Sequence, residues 1–305
     1  MERGHLARCR LPPRPDLLAC RQLLRHPGRQ MNVFNHDSLW ITEDNRRLRA
    51  VSPTTPESMN HKHAAMLPPG TLDGKTVLDL GCCIGGTGYW ALRHGAAHYT
   101  GVEVQDEYVR IARALFESED LSAGVTIHHS DITAWLEGQT RGRAPASAAA
   151  LHDVVVIAGV LYGYIDPLYV LRMASELARE CVVIDNAYPR TMRDPQASYM
   201  DIIPEQRMVV ATHDHEIGIG AGSRLSPVAQ DVIMGNYGFY AQRMAVAPIT
   251  DGHDSYNAAY RNLAGGFFPM RYVTRYTRAL TAMKSVNEAI ASGEVLLGPQ
   301  AVPPQ

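Results

Sequence analysis

Long apolar runs are missing from this chain of 305 residues. No stretch reaches the roughly twenty apolar residues that a helix needs to cross a bilayer, so no membrane partner is expected. Cysteine is also scarce, at five, and two of these are adjacent, Cys82 and Cys83. That number and spacing fit reduced thiols in a cytoplasmic protein better than a disulfide framework. Without any C-x-x-C pair, no metal site is expected. Charge of one sign is lacking as well: 29 Lys and Arg stand against 31 Asp and Glu, a net of −2. The chain as a whole therefore has no electrostatic drive toward nucleic acid or acidic lipid.

Residues 1–30 depart from that balance. They hold seven arginines and only two acids, Glu2 and Asp16, with no apolar core of the kind a secretory signal needs. A transit peptide or a nucleic-acid arm would share this composition, but the expectation is a disordered extension, because Met31 opens a segment of different composition.

What the chain does have is concentrated in T-V-L-D-L-G-C-C-I-G-G-T-G-Y-W-A-L-R-H-G-A-A-H-Y-T-G-V-E-V-Q, residues 76–105. Val77, Leu78 and Leu80 around Asp79 read as a buried parallel strand, and Gly81, Gly85, Gly86 and Gly88 break that pattern before a helical segment. A glycine turn lets backbone N–H groups approach a ligand closely, ahead of a helix N-terminus. A second strand over Tyr99–Val104 carries Glu103 roughly twenty residues past the glycines, where a carboxylate can accept both hydroxyls of a ribose. The order G-C-C-I-G-G differs from the dinucleotide pattern G-x-G-x-x-G, and an acid just before the turn repels a pyrophosphate. A cationic nucleoside suits the site better.

These residues resemble the first motif of the class I S-adenosylmethionine-dependent methyltransferases, an apolar strand and an acid followed by G-x-G-x-G. Asp79, Gly81 and Gly85 match it, and Cys83 stands where the middle glycine usually is. The resemblance implies S-adenosylmethionine as cofactor, its amino-acid end on Asp79, Gly81, Cys83 and Gly85, and its ribose on Glu103. It also implies adenine beside Ser130, Asp131 and Ile132, which follow a strand in T-I-H-H-S-D-I-T-A-W-L.

Downstream, Glu107–Glu117 is helical by periodicity, Asp153–Ile157 and Cys181–Ile184 are apolar strands, and Pro167–Arg179 is a helix between them. Strands alternating with helices predict an α/β fold, a doubly wound and mainly parallel Rossmann-like sheet with ligands at its carboxyl edge. The expected organisation is a helical lid at 31–70, a catalytic domain at 71–250 and an aromatic-rich C-terminal extension at 251–305. Within the lid, Trp40 is of interest, while His61 and His63 read as surface histidines.

Strand ends place Ala158 and Val160 beside the cofactor and Tyr162, Tyr164 and Tyr188 along a methyl channel. Tyr162, Asn186 and His215 are the candidate catalytic residues. The run G-V-L-Y-G-Y-I-D-P-L resembles the fourth motif of a methyltransferase subgroup that includes small-molecule enzymes and a tRNA wobble-uridine modifier, with Gly163 in place of that motif's His. His213 and His215 share one face of an alternating stretch, which reads as an edge strand before a metal or base pair. Basic residues interleaved with tyrosine over 261–278 form too short a patch to predict RNA binding. The expected function is methyl transfer to a small molecule in secondary metabolism. The alternatives are cyclisation of S-adenosylmethionine to azetidine-2-carboxylate with release of methylthioadenosine, and a non-catalytic or tRNA-modifying protein that binds the same cofactor.

Overall fold

The computed structural model describes residues 32–48, 54–140, 152–164, 166–187, 197–198, 200–206, 220–244, 259–261, 267–269 and 271–279. Two helices come first, α1 (Leu39–Leu48) and α2 (Pro56–Met66). The start of α2 is written in T-P-E-S: Thr55 Oγ1 accepts from Ser58 N at 3.2 Å, Ser58 Oγ accepts from Thr55 N at 3.1 Å, and Pro56 is preset for the first turn.

The expected alternation follows: β1 (Thr76–Leu80), α3 (Gly86–Arg93), β2 (His98–Glu103), α4 (Asp106–Ser118), β3 (Val125–His129), α5 (Ile132–Thr140), β4 (His152–Ala158), α6 (Pro167–Leu177) and β5 (Ala178–Ala187). Beyond these lie β6 (Met200–Gln206), β7 (Gly220–Leu225), α7 (Pro227–Asn236), β8 (Phe239–Met244), β9 (Ala259–Arg261), β10 (Phe267–Pro269) and β11 (Arg271–Arg278).

The main sheet runs β3-β2-β1-β4-β5-β11-β8. Its first five strands are parallel, while β11 is antiparallel to both β5 and β8. The chain therefore winds outward from β1 in one direction and returns to β4, so strand order reverses between β1 and β4, where such sheets bind ligands. The mainly parallel, doubly wound sheet matches the expectation. The segment expected as a C-terminal extension, however, supplies β11, which pairs along β5 from Arg271 opposite Ala187 to Thr277 opposite Cys181. The strand β8, Phe239–Met244, lies outside it at the edge.

Both faces of the sheet are covered, which is why β4 carries the unbroken apolar run V-V-V-I and β5 the run C-V-V-I. One face buries Val77, Tyr99, Val156 and Val183 against Trp40, Met66, Trp90, Phe116 and Val109. The other buries Leu78, Val102, Val155 and Ile184 against Leu136, Val170, Leu171, Ala229 and Met234. The helix α4 shows how the sequence selects its face: Val109, Ala112, Leu115 and Phe116 recur at helical spacing and are buried, with Asp106 and Glu107 in the first turn where the helix dipole favours acids.

His63 corrects the expectation of a surface histidine. It is 2 % exposed, its Nδ1 lies 2.7 Å from Met59 O, and its ring packs 5.2 Å from Phe34 and 5.9 Å from Trp90. Burial pushes it down to about 3, so it is a neutral core residue. The reason is that α2 lies on the sheet by the Pro56, Asn60 and His63 side, whereas His61 points to solvent. Arg278 is likewise structural. It donates to Ser175 O and Ala178 O at the carbonyl end of α6, at 2.6 and 2.7 Å, with its guanidinium 4.6 Å from the Phe239 ring centre. Among the described residues no helix is long and apolar enough to cross a membrane.

Candidate functional site

The turn after β1 is held from beneath by β2. Val102 O accepts from Gly81 N at 2.9 Å and from Cys82 N at 3.0 Å, and Glu103 Oε2 accepts from Cys83 N at 2.9 Å. Gly81 has φ +84°, and a Cβ there would lie 2.5 Å from Val160 Cγ1, so the turn after β4 closes against it. Cys83, where the methyltransferase motif that these residues resemble has its middle glycine, lies in the same left-handed region with φ +52°. For a residue with a Cβ this conformation carries a modest strain. Cys82 points into the protein, where a Cβ on Gly101 would meet its Sγ at 2.6 Å, and burial keeps its thiol protonated. It packs the turn.

Asp79 lies at the floor of the turn and is 1 % exposed. Its Oδ2 accepts from Tyr99 Oη at 2.8 Å, while its Oδ1 has no hydrogen-bond partner. Burial raises this carboxyl to about 6, against the opposing pull of the Tyr99 hydroxyl, the Lys62 ammonium and the nearby Thr87 hydroxyl. An unpartnered carboxylate oxygen in a buried position is costly, and a cationic amine is the group that offsets the cost.

Glu103, 6 % exposed, sits at the other end of the turn. Both of its oxygens accept backbone N–H groups, Oε2 from Cys83 and Oε1 from Gln105 at 2.9 Å. These bonds fix the plane of the carboxylate, and each oxygen keeps a second lone pair for a ligand hydroxyl. Beside it, Gln105 Oε1 is buried without a partner.

The third predicted segment follows β3. Ser130 N donates to Glu103 O at 2.9 Å, tying it to the end of β2. Asp131 Oδ1 accepts from Thr133 N at 2.8 Å, Ala134 N at 3.2 Å and the Thr133 hydroxyl, so it caps α5. Ile132 is buried in the lower core, which leaves its backbone as the group able to face a base. Tyr164 reaches the same place. Its hydroxyl is held well above its ordinary range by burial first, then by the Asp131 and Glu103 carboxylates, and it remains a protonated donor. Ser223 Oγ of β7 donates to Tyr164 O at 2.8 Å, anchoring this turn to the β6–β7 hairpin.

Asp79, Gly81, Cys83, Glu103, Ser130, Asp131 and Val160 thus gather around one turn and the ends of β2, β3 and β4. Gly85 is explained by packing: φ is +83° and a Cβ would meet Phe116 at 2.6 Å. Ala158, half-buried, pairs with Asp185 of β5. Tyr162 is half-buried in the 3-10 turn Leu161–Gly163, with the Arg224 guanidinium 5.9 Å from its ring centre. Asn186 goes elsewhere. It is 1 % exposed and its Nδ2 donates to Gln230 Oε1 at 3.1 Å and Tyr272 Oη at 3.2 Å. The network continues from Gln230 Nε2 to Tyr276 Oη and from there to Asp231 Oδ1. Asn186 therefore joins β5 to α7 and β11 rather than standing beside Tyr162. Tyr188, His213 and His215 lie outside the described residues.

Sequence reasoning singled out Trp40 and passed over two other residues that shape the site, Tyr99 and Lys62. Tyr99 orients Asp79, but its parity in β2 signals only a core position. Trp40 of α1 is fully buried, stacks on Tyr89 at 4.1 Å and donates from Nε1 to Ile84 O at 3.0 Å, so it braces the turn from α1. Lys62 influences Asp79 from α2. Among the described residues no group of three or more His, Cys, Asp or Glu side chains could hold a metal.

Residues 77–181 match a protein family described as a methyltransferase domain. No curated protein matches the chain. Among solved structures, magnesium protoporphyrin IX methyltransferase from Synechocystis PCC 6803 with bound SAM is 15 % identical, with a TM-score of 0.46 over 73 % of this chain and 78 % of that one. An S-adenosylmethionine-dependent methyltransferase from Mesorhizobium loti is 17 % identical, with a TM-score of 0.48 over 72 % and 98 % of the two chains. The N-terminal domain of EvdMO1 with SAH bound is 16 % identical, with a TM-score of 0.48 over 73 % and 80 %.

Proposed function

We propose that the protein, whose residues 77–181 match a methyltransferase domain, transfers a methyl group from S-adenosylmethionine to a small molecule, as an enzyme of secondary metabolism in the cytoplasm. The observation that carries this reading is the pair of acids on one turn: Asp79 with a buried, unpartnered Oδ1, and Glu103 with its carboxylate fixed by two backbone N–H groups. The first suits the cofactor's ammonium and the second its ribose hydroxyls. S-adenosylmethionine supplies an electrophilic methyl on a sulfonium when bound.

The chain's own residues then have positioning work. Asp79 Oδ1 accepts from the ammonium, Gly81 and Cys83 offer the backbone of the turn, and Glu103 holds the ribose. Ser130, Asp131 and the N–H of Ile132 flank the adenine, with Tyr164 as a neutral donor beside them. Tyr162, on the turn after β4, lines the path to the methyl, where its ring can favour a cation. In-line alignment of an acceptor is the main demand such a reaction makes, and a rigid turn between β1 and β4 meets it. Residues 31–70 serve as the lid, with Trp40 bracing Ile84. His215 remains a candidate to orient the acceptor. The balanced charge favours a small acceptor over RNA.

The test is incubation of pure protein with S-adenosylmethionine, alone and with pooled small-molecule metabolites, reading nucleoside products by mass spectrometry. The proposal expects S-adenosylhomocysteine only when acceptors are present. Methylthioadenosine formed from the cofactor alone would overturn methyl transfer in favour of the intramolecular cyclisation.

A further inference from the structure

The helix α2 places one cation near the turn, and its surroundings differ from those of the other lysine and arginine side chains described above. Met59 of α2 lies against the start of α3, its Cε 3.2 Å from where a Cβ on Gly86 would stand, and His63 Cε1 is 3.9 Å from the same point. Residues three apart on a helix are neighbours on its surface, so Lys62 follows Met59 along the stripe that faces the turn. Lys62 is half-buried, and among the described residues it enters no ion pair or hydrogen bond. Its charge is felt at Asp79, although the two do not touch. A cation on α2 and a buried acid with an unmet oxygen at the turn match the two ends of an α-amino-acid zwitterion.

We propose that the Lys62 ammonium binds the α-carboxylate at the amino-acid end of the cofactor, while Asp79 Oδ1 binds its α-ammonium. This rests on the cofactor reading above and deepens it. Asp79 alone recognises an amine, whereas the pair selects a ligand that carries both charges. The lid helix then contributes directly to the cofactor site, and a ligand with its carboxylate removed loses the Lys62 contact and nothing else. His63, next to Lys62, stays neutral and does not compete for the carboxylate.

The experiment is calorimetry with two probes, S-adenosylhomocysteine and its decarboxylated analogue, which keeps the amine. Wild type, Lys62→Met and Lys62→Arg are each titrated, with thermal unfolding as the control for folding. The expected result is about tenfold weaker binding of S-adenosylhomocysteine to Lys62→Met, matching the loss of one charge-assisted contact. The decarboxylated probe should bind wild type and Lys62→Met alike, and Lys62→Arg should retain most of the affinity. Equal weakening of both probes, or no change in either, overturns the assignment while leaving the cofactor reading intact. Wild-type protein that binds neither probe overturns both.

Discussion

The Tyr99 hydroxyl donates to Asp79 Oδ2 at 2.8 Å across a separation of 20 residues, and it orients the carboxylate so that Oδ1 faces the turn without a partner. Tyr99→Phe keeps the ring that packs under Gly88 and removes only this donor. Loss of a hydrogen bond to a buried charged group costs on the order of 1.5–3 kcal/mol. We predict a denaturation midpoint lowered accordingly, together with weaker S-adenosylhomocysteine binding by calorimetry. A variant equal to wild type in both would show that Tyr99 does not orient the acid.

Cofactor affinity should fall in mild acid. Asp79 is raised to about 6 in the free protein, and a bound ammonium requires its ionised form. Below pH 6 the free protein must therefore lose a proton before binding, and affinity drops toward tenfold per pH unit. Calorimetry between pH 5 and 8 should show this slope in wild type and a flatter profile in Asp79→Asn.

The brace that Trp40 supplies from α1 is separable from the acids. Trp40→Phe retains much of the stacking on Tyr89 and deletes the N–H that Ile84 O accepts. The buried carbonyl left behind costs about 1–3 kcal/mol, and the turn it belongs to should bind S-adenosylhomocysteine several-fold more weakly. Unchanged affinity with reduced stability would confine Trp40 to the core.

Two glycines should respond in opposite directions to alanine. At Gly88 an added Cβ would stand 2.4 Å from the Tyr99 ring, so Gly88→Ala overpacks the α3–β2 contact and destabilises by about 1–3 kcal/mol. At Gly138 in α5 nothing lies within 4 Å, so Gly138→Ala should stabilise by up to about 1 kcal/mol through helix propensity. Thermal midpoints of the two variants check both signs.

Stability should decline in acid because two histidines, the buried His63 and the half-buried His152, are held neutral. His63 and His152 are held down to about 3 and 4 by burial, from an ordinary 6.5. The unfolded chain then binds more protons than the folded one, and their contribution is intact above pH 6.5 and lost as pH falls toward 4 and 3. Asp79 acts in reverse, favouring the fold most below its ordinary 3.8 and losing that contribution as pH rises past about 6. The two histidines outweigh it, so urea midpoints should fall from pH 6.5 to 4.5, less steeply in His152→Gln.

The parts that were legible in the sequence are those written in contiguous residues. The strand V-L-D-L, its glycines and Glu103 form one βαβ unit, and the unit folds with Asp79 and Glu103 at the two ends of its turn. Pairing across long separations left no such trace. Nothing local in R-Y-V-T-R-Y-T-R says that Arg271–Arg278 slots between β5 and β8, because both flanking strands are formed by distant residues. Asn186 misled for a related reason: strand-end position predicts which edge a residue occupies, whereas Gln230 and Tyr272 decide which way its amide turns. Lys62 and Tyr99 carry no motif, and their importance appears only once Asp79 is seen with an oxygen unmet.

The central claim is that Asp79 and Glu103 grip one sulfonium nucleoside on the turn after β1. Titration of wild type and Asp79→Asn with S-adenosylmethionine tests it most directly. Saturable heat with wild type, weakened at least tenfold by Asp79→Asn at pH 7.5, is the predicted result, whereas equal affinities, or no heat with the wild type, would contradict it.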